Sequence, residues 1–247
     1  MLNGMVSSVN GKVNTSGNNL TIDSDGVFEA TSSNNIGIGV DALNSTAADS
    51  GNNVAIGVNA GTAITTGDDN VALGYGALDG SLLTSDCVSI GSGSLSGAVT
   101  ADGSGAVAIG KSALAASISA VGQTAIGYQA GMTVASGHYN TYIGYGAGKL
   151  CLAGNNTAVG YGAFDAADNT EADNTAIGYN AMGQMNNDTS LKNTAIGSGA
   201  MDGAATSTVA QCVAVGHGAL SGALTSSGAV AIGASALEVL TSGVGNT

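Results

Sequence analysis

A nine-residue phrase that recurs twelve times from residue 35 onward is the feature that most constrains how this chain can fold. Representative copies are NVAIGVNAG at 53–61 and NTAIGYNAM at 174–182. The central glycines of successive copies are separated by 16 to 19 residues. A period of this length is too short for a helical-hairpin repeat and suits one coil of a β-solenoid. We therefore predict an all-β fold, a parallel β-solenoid or β-roll of twelve coils of about 17 residues each.

The glycine at the centre of the phrase, which we number position 0, is present in all twelve copies. Glycine in every copy is expected if the backbone at this position requires a positive φ or touches another backbone. We predict a structural role for these glycines. They are Gly39, Gly57, Gly74, Gly91, Gly110, Gly127, Gly144, Gly160, Gly178, Gly197, Gly216 and Gly233.

The three residues before the glycine read as a short strand. Position −3 is β-branched in every copy, and position −1 is Ile, Val or Leu. These two positions share one face, because side chains alternate along a strand. We predict that this Val/Ile face forms the solenoid core. A second turn and strand are expected to begin after the alanine at position +3.

Position −2 lies on the opposite strand face and is Ala in nine copies. A face in contact with water would carry polar residues, so alanine indicates a second covered face that demands close approach. We predict that neighbouring chains cover it in an oligomer. The alternative is a tight alanine layer inside one thin coil. The predicted interface residues are Ala55, Ala72, Ala108, Ala125, Ala158, Ala176, Ala195, Ala214 and Ala231.

Position −4 is asparagine in seven copies. Stacked asparagine side chains can hydrogen-bond along the stack as a ladder, and we predict such a ladder here. The seven residues are Asn35, Asn53, Asn70, Asn140, Asn156, Asn174 and Asn193. Cys87 and Cys212 share this position, which indicates that they are small apolar fillers.

The repeat defines the predicted domain organisation. Residues 1–34 lie outside it and are expected to form an N-terminal cap or joint, in which 19–28 reads as two short strands around an Asp-Gly turn. Residues 35–247 form the repeat array. Residues 245–247 fall where a thirteenth copy would begin, so we expect the natural polypeptide to continue.

Composition excludes several classes of protein. Seventeen acidic residues against four lysines give a net charge of −13, which disfavours a nucleic-acid partner because phosphate binding needs clustered cations. Proline is absent, which excludes a collagen triple helix. No apolar run reaches the roughly 20 residues of a membrane helix, so we expect a protein that is not membrane-embedded. No signal peptide is visible at the N-terminus.

The phrase Asn-Thr/Val-Ala-Ile-Gly-x-x-Ala resembles the haemagglutinin-type repeat of trimeric autotransporter adhesin heads, and similar phrases occur in bacteriophage tail fibres. Those heads are left-handed parallel β-rolls that trimerise side by side. The resemblance covers 35–247. It implies a homotrimeric rod, extracellular or on a virion surface, that attaches to a host cell or another surface.

The chain departs from the adhesin pattern, because its repeat is longer and it shows no coiled-coil stalk and no membrane anchor. Without a visible signal peptide, we favour a phage tail fibre over a bacterial adhesin. A self-assembling extracellular filament is a third reading.

Position +1 supplies the candidate binding residues. Five tyrosines there would form a stripe on which the sugars of a surface glycan could lie. The alternative is a structural ladder with its hydroxyls in water. The tyrosines are Tyr75, Tyr128, Tyr145, Tyr161 and Tyr179.

Catalytic chemistry has little support in the sequence. His138 and His217 accompany no recognisable nucleophile motif. The adjacent carboxylates of Asp68 and Asp69 admit a glycoside hydrolase, but adjacent acids are commonplace in loops. We predict no catalytic residue, no metal site and no cofactor. A polysaccharide depolymerase is the competing class.

Overall fold

The computed structural model describes residues 35–46, 50–81, 83–98, 104–117, 121–134, 137–166, 171–185, 190–203, 209–222, 227–240 and 245–246. All of them belong to the unit Thr31–Thr247. The cap predicted over residues 1–34 lies outside the described residues.

Across these ranges the regular secondary structure consists of twelve three-residue strands and no helix. The strands form one parallel sheet in chain order. The predicted all-β parallel solenoid is confirmed, with one strand for each copy of the repeat. The strands are β1 (Ile36–Ile38), β2 (Val54–Ile56), β3 (Val71–Leu73), β4 (Val88–Ile90), β5 (Val107–Ile109), β6 (Thr124–Ile126), β7 (Thr141–Ile143), β8 (Thr157–Val159), β9 (Thr175–Ile177), β10 (Thr194–Ile196), β11 (Val213–Val215) and β12 (Val230–Ile232).

Equivalent positions of the repeat align with one another at every strand junction. Ala195 in β10 aligns with Ala176 in β9 and with Ala214 in β11. The variation in repeat length leaves this register unchanged, because the additional residues fall in the variable segments between copies. Each strand contacts only its neighbours in the stack, which is the nearest-neighbour organisation of a solenoid.

The repeat glycines have the predicted structural role. They adopt φ values between +125° and +140°, which side-chain-bearing residues rarely do. A Cβ on Gly144 would lie 2.3 Å from the carbonyl oxygen of Gly160. The same contact with the next glycine recurs from Gly39 to Gly216, at 2.3 to 2.8 Å. Both the backbone angle and the approach of the next coil therefore require glycine.

The strands face the opposite way from the prediction. Ala125 and Ala176 at position −2 are fully buried, whereas Ile126 and Ile177 at position −1 are 37% and 38% exposed. The prediction that the Val/Ile face forms the core is therefore wrong. The alanine face lines the interior, and the branched residues form the outer surface of the sheet.

The physical reason for this orientation is that the coil is thin. Position −2 meets position +3 of the same coil directly across the interior. In the fourth copy these positions are Ser89 and Ser94, and their hydroxyl oxygens are 2.7 Å apart. Only small side chains fit into a space of this size, so alanine fills both positions in most coils.

The alanines predicted to form an oligomer interface are consequently core residues. Their own chain leaves them 2% exposed or less, so no surface remains for a partner to contact. The alternative reading, an alanine layer inside one thin coil, is the one that the structure supports. The corrected residues are Ala55, Ala72, Ala108, Ala125, Ala158, Ala176, Ala195, Ala214 and Ala231.

The second half of each described copy is a turn and not the predicted second strand. Position +4 adopts a positive φ, as in Leu114 (50°) and Phe164 (54°), and both side chains are buried. The Leu114 N–H donates to the carbonyl of Ala130 in the next coil at 3.0 Å. Hydrogen bonding between coils therefore continues through the turn without strand geometry.

Tyr142 is the large exception among the small residues at position −2. It is fully buried, and glycine stands at position +4 both in its own copy and in the copy before it. A Cβ on Gly148 or Gly131 would lie only 2.2 or 2.8 Å from the tyrosine ring. Two glycines thus provide the space that one aromatic side chain occupies.

The asparagines at position −4 form the predicted ladder, mainly through backbone partners. Asn174 Oδ1 accepts a hydrogen bond from the Asn193 N–H at 2.9 Å, and its Nδ2 donates to the Ser190 carbonyl at 3.0 Å. Asn156 makes the equivalent pair of bonds with Asn174 and Glu171. Each side chain therefore joins the strand and the variable segment of the following coil.

Residues at the predicted start of a thirteenth copy follow the repeat geometry. The carbonyl of Asn246 accepts a hydrogen bond from the Val230 N–H at 2.7 Å. Asn193 accepts the equivalent bond from Thr175 at 2.8 Å. Asn246 therefore occupies position −4 of the coil that follows β12.

We expect Gly144→Ala to lower the free energy of unfolding by about 4 kcal/mol, because the methyl group collides with the Gly160 carbonyl and the backbone angle is strained. Gly146→Ala is the matched control. Its φ is +64° and its Cβ would meet nothing within 4 Å, so only a left-handed penalty of about 1 kcal/mol applies. Thermal denaturation followed by circular dichroism measures both variants. Equal destabilisation would show that the contact between coils is unimportant.

We expect Asn174→Ala to cost about 2–3 kcal/mol, because the Asn193 N–H and the Ser190 carbonyl lose their partners. Asn44, which is exposed, is the control, and Asn44→Ala is expected to change stability by less than about 0.5 kcal/mol. The same melting experiment compares them. A small effect at Asn174 would contradict the ladder as a source of stability.

Candidate functional site

The outer side of the sheet is a continuous surface that all twelve strands form. We call the side chains at positions −3 and −1 of β1 to β12 the outer strand face. No charged residue occupies either position. Ile143 is 38% exposed, Ile196 is 39% and Leu73 is 42%. Sequence analysis missed this surface, because it placed the branched residues in the core.

The tyrosines at position +1 border the outer strand face. Four of them stack ring on ring in consecutive coils. The centroid distances are 4.9 Å for Tyr128–Tyr145, 5.1 Å for Tyr145–Tyr161 and 5.4 Å for Tyr161–Tyr179, with interplanar angles of 11° to 22°. We call these four residues the tyrosine ladder.

Tyr75 stands apart from the ladder. Ser92 and Lys111 occupy position +1 in the two coils between Tyr75 and Tyr128. Tyr75 is 64% exposed, and its ring therefore lies on the same edge without joining the stack.

Stacking changes what the tyrosines can bind. The rings of Tyr145 and Tyr161 are covered on both faces by neighbouring rings. A sugar that lies on an aromatic ring needs an uncovered face. The ladder therefore presents ring edges and hydroxyl groups along its length, and ring faces only at its two ends.

A groove of about 340 Å³ begins at one end of the ladder. Tyr179 lines its start, and Ser198 and His217 follow at position +1 of the next two coils. Asp202 and Glu238 line it from position +5. The positions of the tyrosines alone did not indicate this groove, because residues of several coils line it together.

Three carboxyl groups at position +5 lie in a partly buried setting. Burial raises the pKa of Asp79, Asp165 and Asp202 above the usual value of 3.8. The negative charge of Asp202 raises the pKa of Asp165 further, and Lys149 opposes that rise. These carboxyl groups hold their protons more tightly than exposed ones.

The adjacent carboxylates that admitted a glycoside hydrolase are engaged in holding the stack. Asp68 Oδ1 accepts a hydrogen bond from the Gly51 N–H at 2.7 Å, and Asp69 Oδ1 accepts one from Asn52 Nδ2 at 3.0 Å. Both bonds run to the preceding coil. The pair therefore joins variable segments of neighbouring coils.

The three cysteines are buried and form no disulfide bond in the structure; they are Cys87, Cys151 and Cys212. Burial raises the pKa of Cys151 to about 11. His138 is exposed, and its Nδ1 accepts a hydrogen bond from the Val121 N–H at 3.0 Å. Within the described residues, no group of three or more His, Cys, Asp or Glu side chains is arranged to hold a metal ion.

A scan against protein-family models, a search of curated proteins and a search of solved structures gave no match for this chain. The part of the chain that the structure describes contains no helix long and apolar enough to span a membrane.

We expect acidification to stabilise the solenoid. The raised pKa values of Asp79, Asp165 and Asp202 mean that the folded chain binds more protons than the unfolded chain. The stability that protonation contributes is fully present below pH 3.8, which is the ordinary pKa of an aspartate. It is lost as the pH rises through the higher pKa values that these groups have in the folded chain. The melting temperature at about pH 4.5 should therefore exceed that at about pH 7.

A triple variant, D79N/D165N/D202N, tests whether these three carboxyl groups cause the pH dependence of stability. It should melt higher than the parent at neutral pH and show a flatter pH profile. A parent melting temperature that falls on acidification would contradict the assignment.

Proposed function

We propose that the chain is a structural, non-enzymatic fibre segment that associates side by side as a homotrimer and attaches to a host cell or another surface. A bacteriophage tail fibre on the virion surface is the first form of this proposal. An extracellular bacterial adhesin is the alternative. The observation that carries the proposal is the outer strand face, an exposed surface of uncharged Ile, Val, Leu and Thr side chains on a chain whose net charge is −13.

The size of this face supports association. Twelve strands at about 4.8 Å spacing give a face roughly 58 Å long, and the three residues of each strand give a width of about 10 Å. The product, roughly 580 Å², is somewhat less than the ~800 Å² that each partner contributes to a standard interface. Exposed patches of this size are at the upper end of those found on monomers and are often interaction sites.

The regular register supports parallel association of identical chains. Equivalent residues recur once per coil along the outer strand face. Chains that run in the same direction around a common axis therefore place each coil beside the same coil of a neighbour. The resemblance of the repeat to trimeric adhesin heads supports three chains rather than two.

The surface around this face supports an attachment role. The tyrosine ladder borders the outer strand face, and the variable segments carry most of the acidic residues. Three parallel chains would present each surface feature three times. Avidity would then exceed the affinity of a single weak site.

We expect light scattering under native conditions to give about 70 kDa, three times the chain mass of 23.5 kDa. Ile143→Asp combined with Ile177→Asp should release monomers, because charges on the outer strand face would be buried without partners. Leu150→Asp is the control, since Leu150 is 40% exposed but lies outside this face, and it should leave the mass unchanged.

A parent mass of 23.5 kDa would overturn the trimer. A very large and polydisperse mass would favour the filament that the sequence also admitted. Attachment is tested separately, by the binding of labelled chain to bacterial cells. Absence of binding across a panel of cells with different surface polysaccharides would overturn the adhesive role.

A further inference from the structure

The tyrosine ladder ends at Tyr179 because the next coil carries Ser198 at position +1, and His217 follows one coil further on. Two coil spacings of about 4.8 Å place the ring positions of Tyr179 and His217 roughly 10 Å apart. Rings within the ladder stack at 4.9 to 5.4 Å. The gap above Ser198 is therefore one ring thick.

This gap opens into the groove described above. Ser198, Gly199 and Gly218 line it, together with Tyr179 and His217. A Cβ on Gly199 would meet nothing within 4 Å, so the glycine leaves open space where a side chain would project. At the other end of the ladder, Lys111 occupies position +1 beside Tyr128, and its long side chain stands where Ser198 leaves the gap.

The groove is also lined by the carboxyl group of Asp202. Burial raises the pKa of this carboxyl group, and hydrogen bonds from Gln184 and Gly183 lower it. Its Oδ1 is buried and has no hydrogen-bond partner among the described residues. A carboxylate has acceptor capacity for more than one donor, so a hydroxyl group bound in the groove can donate to Asp202.

We propose that the gap between Tyr179 and His217 binds one pyranose ring of a neutral glycan. The apolar C–H face of the sugar stacks on the open face of Tyr179, with His217 on its other side, and a sugar hydroxyl donates to Asp202. This inference rests on the proposed attachment function and identifies its ligand class.

The groups around the gap favour a neutral pyranose over anionic sugars and over aromatic rings. Asp202 and Glu238 in the groove, and a chain of net charge −13, repel anionic sugars such as uronic acids. A purely aromatic ring would stack equally well on Tyr179. It would carry no hydroxyl donors for Asp202 and would leave that acceptor unsatisfied. A neutral pyranose supplies both the apolar face and the donors.

The test titrates the whole chain with methyl glucopyranoside, methyl galactopyranoside and methyl mannopyranoside, and follows binding by saturation-transfer NMR and calorimetry. Methyl glucuronide and anisole serve as the anionic and aromatic comparison probes, and anisole carries no hydrogen-bond donor. We expect millimolar binding of at least one neutral pyranoside, and binding of the glucuronide at least tenfold weaker.

Ser198→Tyr should abolish this binding, because it continues the ladder into the gap. Ser92→Tyr is the matched control, since it adds the same side chain at the same repeat position outside the groove, and it should bind like the parent. Asp202→Asn preserves shape and is expected to weaken binding about tenfold. It provides an independent test should Ser198→Tyr fail to melt cooperatively.

Three results would overturn the inference. These are undiminished pyranoside binding by both Ser198→Tyr and Asp202→Asn, preferential binding of anisole, and no pyranoside binding by a chain that attaches to cells. The last result leaves the attachment function standing and removes only this site. A chain that binds pyranosides through the gap but attaches to no cell would overturn the attachment function instead.

Discussion

Hydrogen bonding between the backbones of successive coils is the constraint on which the structure depends. Each coil offers its N–H and carbonyl groups to the next, in the strand and also in the turn that follows it. Contact at position 0 is so close that a Cβ on Gly144 would collide with the next coil. Proline, which lacks a donor and cannot adopt positive φ, has no place in such a stack, and the chain contains none.

The close stacking produces a thin interior, and the thin interior determines the rest of the packing. Alanine lines both sides of the interior in most coils. Where another residue replaces alanine, the residues that face it across the interior differ as well. Ser89 faces Ser94 across the fourth copy with a direct hydrogen bond. Tyr142 fits only because Gly131 and Gly148 leave it space. The core therefore has little apolar volume, and polar bonds such as the asparagine ladder contribute to holding coils together.

A thin core leaves large side chains on the outside, and this is where the proposed functions arise. The branched residues of the outer strand face point away from the interior of their own coil, so they offer a long, uncharged and largely apolar surface for association. The ladder at its border ends where Ser198 replaces a ring, beside the buried acceptor of Asp202. One architecture thus supports both a side-by-side interface and a separate site of polar and aromatic character.

The repeat by itself determined the solenoid, its register and the roles of the glycines and asparagines, because each depends on a property that recurs with the same period. It did not determine which strand face lies inside. Alternation separates two faces but does not name the inner one, and the apolar residues at positions −3 and −1 suggested the wrong face. Only the tertiary structure decided this, because the distance between position −2 and position +3 admits alanine and excludes isoleucine. The groove beside Tyr179 likewise depends on which side chains adjacent coils bring together across the stack.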